Sequence, residues 1–186
     1  MNILVTGASK GIGNAIAHEL QNIGEVFVTG RNEKALIECN AKGFCVCDLS
    51  KDITTLTDFI EKNNIDVLIN NAGEYIYSDL DKMNIKDIQR LYQTNLIAPA
   101  FLASKVIPNM KNKKWGRIIN IGSISGVMGE AYASIYSSSK AGLIGLTKAL
   151  ALELAEHNIT VNTINPGWVE KELGMASIDD SEFSRE

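Results

Sequence analysis

Short apolar runs rich in β-branched residues alternate with longer segments of helical period along this 186-residue chain. The predicted strands cover 2–6, 25–29, 44–47, 65–70, 117–121 and 159–164, and the predicted helices cover 12–22, 32–39, 52–63, 84–111 and 132–157. Repeated strand-helix alternation predicts right-handed crossovers and a parallel sheet with helices on both faces. We therefore expect one α/β domain over 1–186, in which Pro99 and Pro108 kink or divide the fourth helix.

Composition excludes several classes of protein. Apolar residues make up 45%, charged residues 22%, and the net charge is -4, which lacks the basic excess of a broad nucleic-acid surface. The N-terminal residues show neither a basic n-region nor a long apolar stretch, so we expect a cytoplasmic protein without membrane partners. Cys39, Cys45 and Cys47 are expected to be reduced core thiols, with Cys45 and Cys47 on one strand face. We expect no metal, because zinc needs more ligands than these cysteines and two distant histidines provide.

A glycine-rich turn, T-G-A-S-K-G-I-G at 6–13, follows the first predicted strand and opens the first predicted helix. Glycine permits a tight turn and close backbone approach, and a helix N-terminus offers free N–H groups to a pyrophosphate. The spacing differs from the general G-x-G-x-x-G fingerprint. This context predicts a dinucleotide phosphate site formed by Gly7, Ser9, Lys10, Gly11, Ile12 and Gly13.

Arg31 follows the second predicted strand, at the place where many dinucleotide folds carry an acidic residue for the ribose hydroxyls. A guanidinium there attracts a 2′-phosphate, and Lys10 adds a second positive charge. The alternative is that both residues are ordinary surface cations. We expect NADP(H) to be preferred over NAD(H).

The ordered motifs resemble those of the classical short-chain dehydrogenase/reductase family from Met1 to about Val169. Besides the glycine turn they are C-D-L at 47–49, N-N-A-G at 70–73, T-N at 94–95, G-R-I-I-N-I-G-S at 116–123, Y-S-S-S-K at 136–140 and N-P-G-W-V at 165–169. The resemblance implies a Rossmann-like, doubly wound parallel sheet of six strands in the order 3-2-1-4-5-6. Around G-R-I-I-N-I-G-S and in K-A-G-L-I-G-L-T-K, the chain is similar to 3-oxoacyl-carrier-protein reductases.

The resemblance also implies the roles of individual residues. The catalytic residues would be Asn95, Ser123, Tyr136 and Lys140, and further cofactor contacts would come from Asp48, Leu49, Asn71, Ala72, Gly73, Tyr136, Lys140, Pro166, Gly167 and Val169. Ser123 is chosen over Ser125 because it ends the fifth strand and has the family's spacing to the tyrosine. Asp48 has an alternative role as the cap of the next helix, for which Ser50 competes.

The residue types suit hydride transfer between a nicotinamide and a carbonyl or alcohol. Tyr136 would act as general acid/base, and Lys140, one helical turn away, would lower its pKa. Ser123 would donate a hydrogen bond to the substrate oxygen. In the family, Asn95 helps to position a relay water, and the helix bearing Tyr136 joins the preceding long helix in a dimer interface, so we expect a homodimer.

The sequence departs from the family at its C-terminal end. Glu170 and Lys171 stand where the family usually has a threonine beside the nicotinamide. Classical members continue through a substrate lid and a seventh strand, so the chain is either a fragment or naturally short, with 174–186 as a mobile tail and with an open, poorly selective pocket. Two functions follow from this: an NADPH-dependent carbonyl reductase, or a catalytically weak NADP(H)-binding or oligomer-partner protein. A tetramer is not expected.

Overall fold

The computed structural model describes residues 1–169, which form a parallel sheet of six strands. The strands are β1 (Asn2–Thr6), β2 (Glu25–Gly30), β3 (Gly43–Val46), β4 (Val67–Asn70), β5 (Gly116–Ile121) and β6 (Ile159–Ile164). Their order is β3-β2-β1-β4-β5-β6, and all five neighbouring pairs are parallel. The predicted α/β fold and strand order are thus confirmed.

The helices cover both faces of this sheet. They are α1 (Gly11–Leu20), α2 (Glu33–Glu38), α3 (Thr54–Asn63), α4 (Ile85–Tyr92), α5 (Ala98–Lys113), α6 (Ser125–Met128) and α7 (Ser134–Leu154), with 3₁₀ turns at Leu80–Lys82 and Ala155–His157. Ile3 and Val5 of β1 pack with side chains of α1 and α2 in one core cluster, whereas Leu4 packs with α3 and α5 in the other. This alternation along a strand buried on both faces is what a doubly wound sheet requires.

The fourth predicted helix is divided, as its prolines indicated. A π-helical segment, Gln93–Ile97, separates α4 from α5, and Pro99 lies in the first turn of α5. Proline has no N–H to donate to the carbonyl four residues before it, so Pro99 leaves the Asn95 carbonyl without its regular α-helical partner. Pro108 lies inside α5 without ending it. The short helix α6 was not predicted.

The three cysteines are buried free thiols. Cys45 and Cys47 lie in the same core cluster as Leu4, whereas Cys39 lies in the cluster on the other face of the sheet. The prediction of core thiols, with Cys45 and Cys47 on one face, is confirmed. Within residues 1–169 no group of three or more His, Cys, Asp or Glu side chains is arranged to hold a metal ion.

In the same part of the chain, none of the helices combines the length and the apolar character that a membrane crossing needs. Glu170, Lys171 and the tail at 174–186 lie outside the described residues, so the predictions about them stay predictions.

Candidate active site

The glycine-rich turn lies at the carboxyl end of β1, and two of its glycines have left-handed backbone angles. Gly7 has φ +68° and Gly11 has φ +57°, a conformation that glycine adopts without steric cost. A Cβ added to Gly13 would lie 2.3 Å from Asn71 Nδ2 and 2.4 Å from the Gly7 carbonyl oxygen, whereas one added to Gly11 would meet no atom within 4 Å. The turn is therefore packed closely on its protein side and open at Gly11.

The N-N-A-G turn after β4 holds this loop in place. The Asn71 side-chain amide donates to the carbonyl oxygens of Thr6 at 2.9 Å and of Gly7 at 3.2 Å. The backbone N–H groups of Asn71 and Ala72 both donate to Thr6 Oγ1 at 3.0 Å. The side chain and the backbone N–H of Asn71 thus join β1 to β4, which leaves the exposed Gly73 to face a ligand.

The loop offers groups that fit a phosphate-bearing cofactor. The Ser9 hydroxyl is buried and has no hydrogen-bond partner among the described residues, and Lys10 at the N-terminus of α1 is exposed. Arg31 is also exposed, directly after β2. Free N–H groups at the start of α1, two cations and an unpartnered hydroxyl are the donors that a pyrophosphate and a 2′-phosphate require. The residues present therefore fit a dinucleotide.

Asp48 lies beyond β3 and does not cap a helix. Its Oδ1 accepts hydrogen bonds from the Ser50 N–H at 3.1 Å and the Ser50 hydroxyl at 2.7 Å. Burial opposes ionisation of Asp48, but these bonds and the nearby Arg31 and Lys51 lower its pKa overall. The alternative in which Asp48 or Ser50 caps α3 is wrong, because Asp52 accepts the Thr54 N–H at 2.9 Å.

Leu49 lies beside Asp48, but its side chain is buried in the core cluster that contains Leu4. An adenine contact from Leu49 would therefore have to come from its backbone.

Tyr136 and Lys140 lie one turn apart on α7, beside the carboxyl end of β5. Lys140 is 4% exposed, and its Nζ donates to the Ile121 carbonyl oxygen at 2.7 Å. The same Nζ lies 5.8 Å from the centroid of the Tyr136 ring and 3.6 Å from the position of a Cβ added to Gly73. The ammonium is thus enclosed between α7, β5 and the N-N-A-G turn.

Asn95 is fully buried in the π-helical segment and connects three parts of the site. Its Oδ1 accepts the Glu74 N–H at 2.8 Å, and its Nδ2 donates to the Glu74 carbonyl at 2.8 Å and to Ser139 Oγ at 3.1 Å. These bonds fix the segment after Gly73 against the helix that carries Tyr136. π-helical segments occur frequently at functional sites, and this one presents Asn95 to both neighbours.

Ser123 follows β5 and is buried beside the last described residues. The Gly122 N–H donates to the Ile164 carbonyl at 2.7 Å, and the Ile124 N–H donates to the Pro166 carbonyl at 2.9 Å. Pro166 therefore lies next to Ser123, and Gly167 and Val169 follow it as exposed residues at the same end of the sheet.

The pKa of Tyr136 is raised overall by its surroundings. Burial raises the pKa of Tyr136, an interaction with the Ser123 side chain acts in the opposite direction, and the charge of Glu130 raises it further. Lys140 directs its ammonium at the Ile121 carbonyl, and burial lowers its own pKa to about 8. The expectation that Lys140 favours the phenolate of Tyr136 stays a prediction.

Three residues near Tyr136 were given no role by the sequence analysis. The Tyr75 ring packs edge-on against the Tyr136 ring with centroids 4.9 Å apart, and its hydroxyl donates to Glu130 Oε1 at 2.7 Å. Ser125 donates to Glu130 Oε2 at 2.6 Å and lies 3.1 Å from Ser123 Oγ. Tyr75 and Ser125 each lie two residues after a recognised motif, whereas Glu130 lies between motifs and has no sequence signal.

Comparisons with known proteins agree with this geometry. Residues 1–182 match the family described as short chain dehydrogenase. The 3-oxoacyl-[acyl-carrier-protein] reductase FabG of Rickettsia prowazekii (strain Madrid E) is 38% identical over 176 residues, which cover 91% of this chain and 73% of the relative.

Two solved structures are also similar to the chain. A metagenomic short-chain oxidoreductase in complex with NADP has a TM-score of 0.82 at 34% identity, and the match covers 91% of this chain and 83% of the oxidoreductase chain. A 4-hydroxyisoleucine dehydrogenase complexed with NADH and succinate has a TM-score of 0.79 at 35% identity, and the match covers 89% of this chain and 78% of the dehydrogenase chain. The match over nearly the whole chain, together with the fold, shows that the protein belongs to the short-chain dehydrogenase family of nicotinamide-dependent oxidoreductases.

Proposed function

We propose that the protein is an NADP(H)-dependent carbonyl reductase in which Tyr136 is the general acid/base. The observation that carries the proposal is the convergence of three groups at one end of the sheet. The phenol of Tyr136, the hydroxyl of Ser123 and the buried ammonium of Lys140 all lie beyond β5, beside the turn that holds the glycine loop. Ligands of open α/β sheets bind at this carboxyl edge.

The residues divide the chemistry among themselves. Bound NADPH would supply the hydride, and the glycine loop with Ser9 and Lys10 would hold its phosphates. Tyr136 donates its hydroxyl proton to the carbonyl oxygen as that oxygen gains negative charge, and Ser123 adds a hydrogen bond. The raised pKa of Tyr136 keeps the phenol protonated at neutral pH, which suits reduction of a carbonyl.

Lys140 and Asn95 support this step in different ways. The Lys140 ammonium, buried beside the phenol ring, stabilises the phenolate that remains after proton transfer. Asn95 keeps the Glu74 segment and α7 at a fixed distance, so that the proton donor and the cofactor turn stay aligned. We assign Asn95 a positioning role on this evidence.

Replacement of Tyr136 tests the chemical part of the proposal. The purified 186-residue chain and Tyr136→Phe are compared for NADPH oxidation against a panel of ketones and 3-oxoacyl thioesters. We expect the variant to bind NADPH like the unsubstituted chain and to lose at least about 100-fold in kcat, because only the proton donor is removed. Comparable turnover by both proteins would contradict the role of Tyr136. Tight NADPH binding without turnover on any compound would favour the NADP(H)-binding protein instead.

The preference for NADP(H) rests on Arg31 and Lys10, which flank the expected adenosine end of the cofactor. Of the two similar solved proteins, one was complexed with NADP and the other with NADH, so likeness alone does not select between them. Arg31→Ser should weaken NADPH binding by about 10-fold or more and leave NADH binding unchanged, because a charge-assisted contact to the 2′-phosphate is lost.

Lys34→Ser, which removes an exposed cation from α2, is the matched control for Arg31→Ser. Fluorescence titrations of both variants with NADPH and NADH measure the effect. If Arg31→Ser weakened the binding of NADPH and NADH equally, the assignment of Arg31 to the 2′-phosphate would be contradicted.

A homodimer through α5 and α7 is also proposed. Phe101 on α5 is 43% exposed, and Leu152 on α7 is 83% exposed, which are apolar side chains that a second copy of the helix pair would cover. Light scattering at several protein concentrations should give twice the chain mass; a monomer at high micromolar concentration would contradict it. The cytoplasmic location stays a prediction.

A further inference from the structure

A group of three side chains borders the catalytic tyrosine, and the proposed reaction gives it no role. This group, called here the acidic wall, consists of Tyr75, Ser125 and Glu130. The two carboxylate oxygens of Glu130 accept hydrogen bonds from the Tyr75 hydroxyl at 2.7 Å and the Ser125 hydroxyl at 2.6 Å. Both oxygens are held, so the carboxylate has a defined position in the loop before α7.

The acidic wall is in contact with the reacting groups. The Tyr75 ring meets the Tyr136 ring edge-on, with centroids 4.9 Å apart and an interplanar angle of 76°. Ser125 Oγ lies 3.1 Å from Ser123 Oγ, so a single hydroxyl separates the Glu130 carboxylate from Ser123. Burial raises the pKa of Tyr136, and the charge of Glu130 raises it further, so that charge acts at the phenol.

The charge of Glu130 is not neutralised by a neighbouring cation. Its two donors are uncharged hydroxyls, and the ion pairs formed by residues 1–169 do not include it. Glu74, the nearby carboxylate on the segment after Gly73, is paired with Arg90 at 2.7 Å. Lys140 directs its ammonium at the Ile121 carbonyl. The wall therefore presents one uncompensated negative charge beside the site.

We propose that Glu130 determines substrate specificity by excluding carbonyl compounds with a carboxylate next to the reacting carbon and admitting neutral or cationic ones. The inference rests on the proposed function, since it takes the reacting carbonyl oxygen to lie between the hydroxyls of Ser123 and Tyr136. A substituent on that carbonyl then lies close to the wall. Repulsion between the Glu130 carboxylate and a substrate carboxylate in a partly buried site weakens substrate binding by on the order of 10- to 100-fold.

A matched pair of substrates measures this charge effect. Benzoylformate carries a carboxylate next to its ketone, and methyl benzoylformate has the same skeleton without the charge. The kcat/KM ratio of ester to acid is determined for the unsubstituted chain and for Glu130→Gln. We expect the ratio to fall by about 10-fold or more in the variant, mainly through faster reaction of the acid.

Two further variants separate charge from other effects. Glu61→Gln removes an exposed carboxylate from α3 and should leave the ratio unchanged, because this charge is remote from the wall. Tyr75→Phe removes one hydrogen bond to Glu130 but keeps its charge, so it should retain the discrimination against the acid. If Glu130 only tied the loop to its neighbours, Glu130→Gln would slow the acid and the ester equally.

A binding measurement keeps the inference separate from the proposed reaction. Titration calorimetry with mandelate and methyl mandelate, in the presence of NADPH, gives the same charge comparison without turnover. Tighter mandelate binding by Glu130→Gln, with no turnover of any carbonyl compound, would support charge exclusion by Glu130 and contradict the proposed reductase activity. Unchanged ratios in both assays, or failure of the ester to bind or react with the unsubstituted chain, would overturn the inference.

Discussion

Replacing the buried lysine should stabilise the fold while abolishing activity. Burial lowers the pKa of Lys140 from 10.5 to about 8, and about 1.4 kcal/mol corresponds to each pKa unit. Keeping the ammonium charged at neutral pH therefore costs about 3 kcal/mol. Lys140→Met removes that cost and also removes one hydrogen bond to the Ile121 carbonyl, worth about 1 kcal/mol. The net expectation is a gain of about 2 kcal/mol near pH 7.

The pH dependence gives this prediction a signature. The folded-state pKa of Lys140 lies below its unfolded-state value, so the unfolded chain binds more protons between about pH 8 and about pH 10.5. The stability of the unsubstituted chain should rise with pH in that window relative to Lys140→Met. The advantage of the variant should therefore be full below about pH 8 and should shrink towards pH 10.

Urea unfolding followed by circular dichroism, at about pH 7 and about pH 10, measures both free energies for the two proteins. Lys148→Met, which replaces an exposed lysine of the same helix, is the control and should show no such pH-dependent gain. A Lys140→Met variant that is less stable near pH 7, or an advantage that is equal at both pH values, would refute the reasoning.

Three further predictions concern packing, positioning and thiols. Gly13→Ala should abolish NADPH binding, as measured by titration calorimetry, because its Cβ would overlap Asn71 Nδ2 and the Gly7 carbonyl. Gly145→Ala on α7, where a Cβ meets nothing within 4 Å, is the control and should bind NADPH like the unsubstituted chain. Asn95→Ala should lower the free energy of unfolding by about 2–4 kcal/mol, since it leaves half-buried Glu74 backbone groups unpaired. The exposed Asn162→Ala should change it little, and equal effects in urea unfolding would count against the positioning role. The three thiols should not react with Ellman's reagent until the protein unfolds, because all are buried and burial raises their pKa, to about 11 for Cys47; rapid reaction of the folded protein would be inconsistent with this.

The strands could be predicted because their signal is local. The strands β1 and β2 are short apolar runs whose residues alternate between the two core clusters, with Leu4 and Phe27 in one and the β-branched Ile3, Val5, Val26 and Val28 in the other. The division of the fourth helix was only partly predictable. Pro99 marks the place, but the π-helical geometry depends on the bonds of Asn95 to Glu74 and Ser139, and these partners are distant in sequence.

The candidate groups of the site were implied by the resemblance of the ordered motifs to the family, whereas their electrostatics were not. A tyrosine and a lysine one helical turn apart suggested that the cation lowers the pKa of the phenol. The tertiary structure also buries both groups, directs Lys140 at the Ile121 carbonyl and brings Glu130 into the neighbourhood of Tyr136. No periodicity or spacing reports where a loop residue such as Glu130 places its charge.

Transfer of deuterium tests the central claim most directly. The unsubstituted chain is incubated with NADPH deuterated at the transferable position and with a ketone that it reduces, and the alcohol is analysed by mass spectrometry. We expect one deuterium on the former carbonyl carbon, with the product nearly absent when Tyr136→Phe is used at equal NADPH occupancy. An alcohol without deuterium, or an equal yield of labelled alcohol from the variant, would contradict Tyr136-assisted hydride transfer.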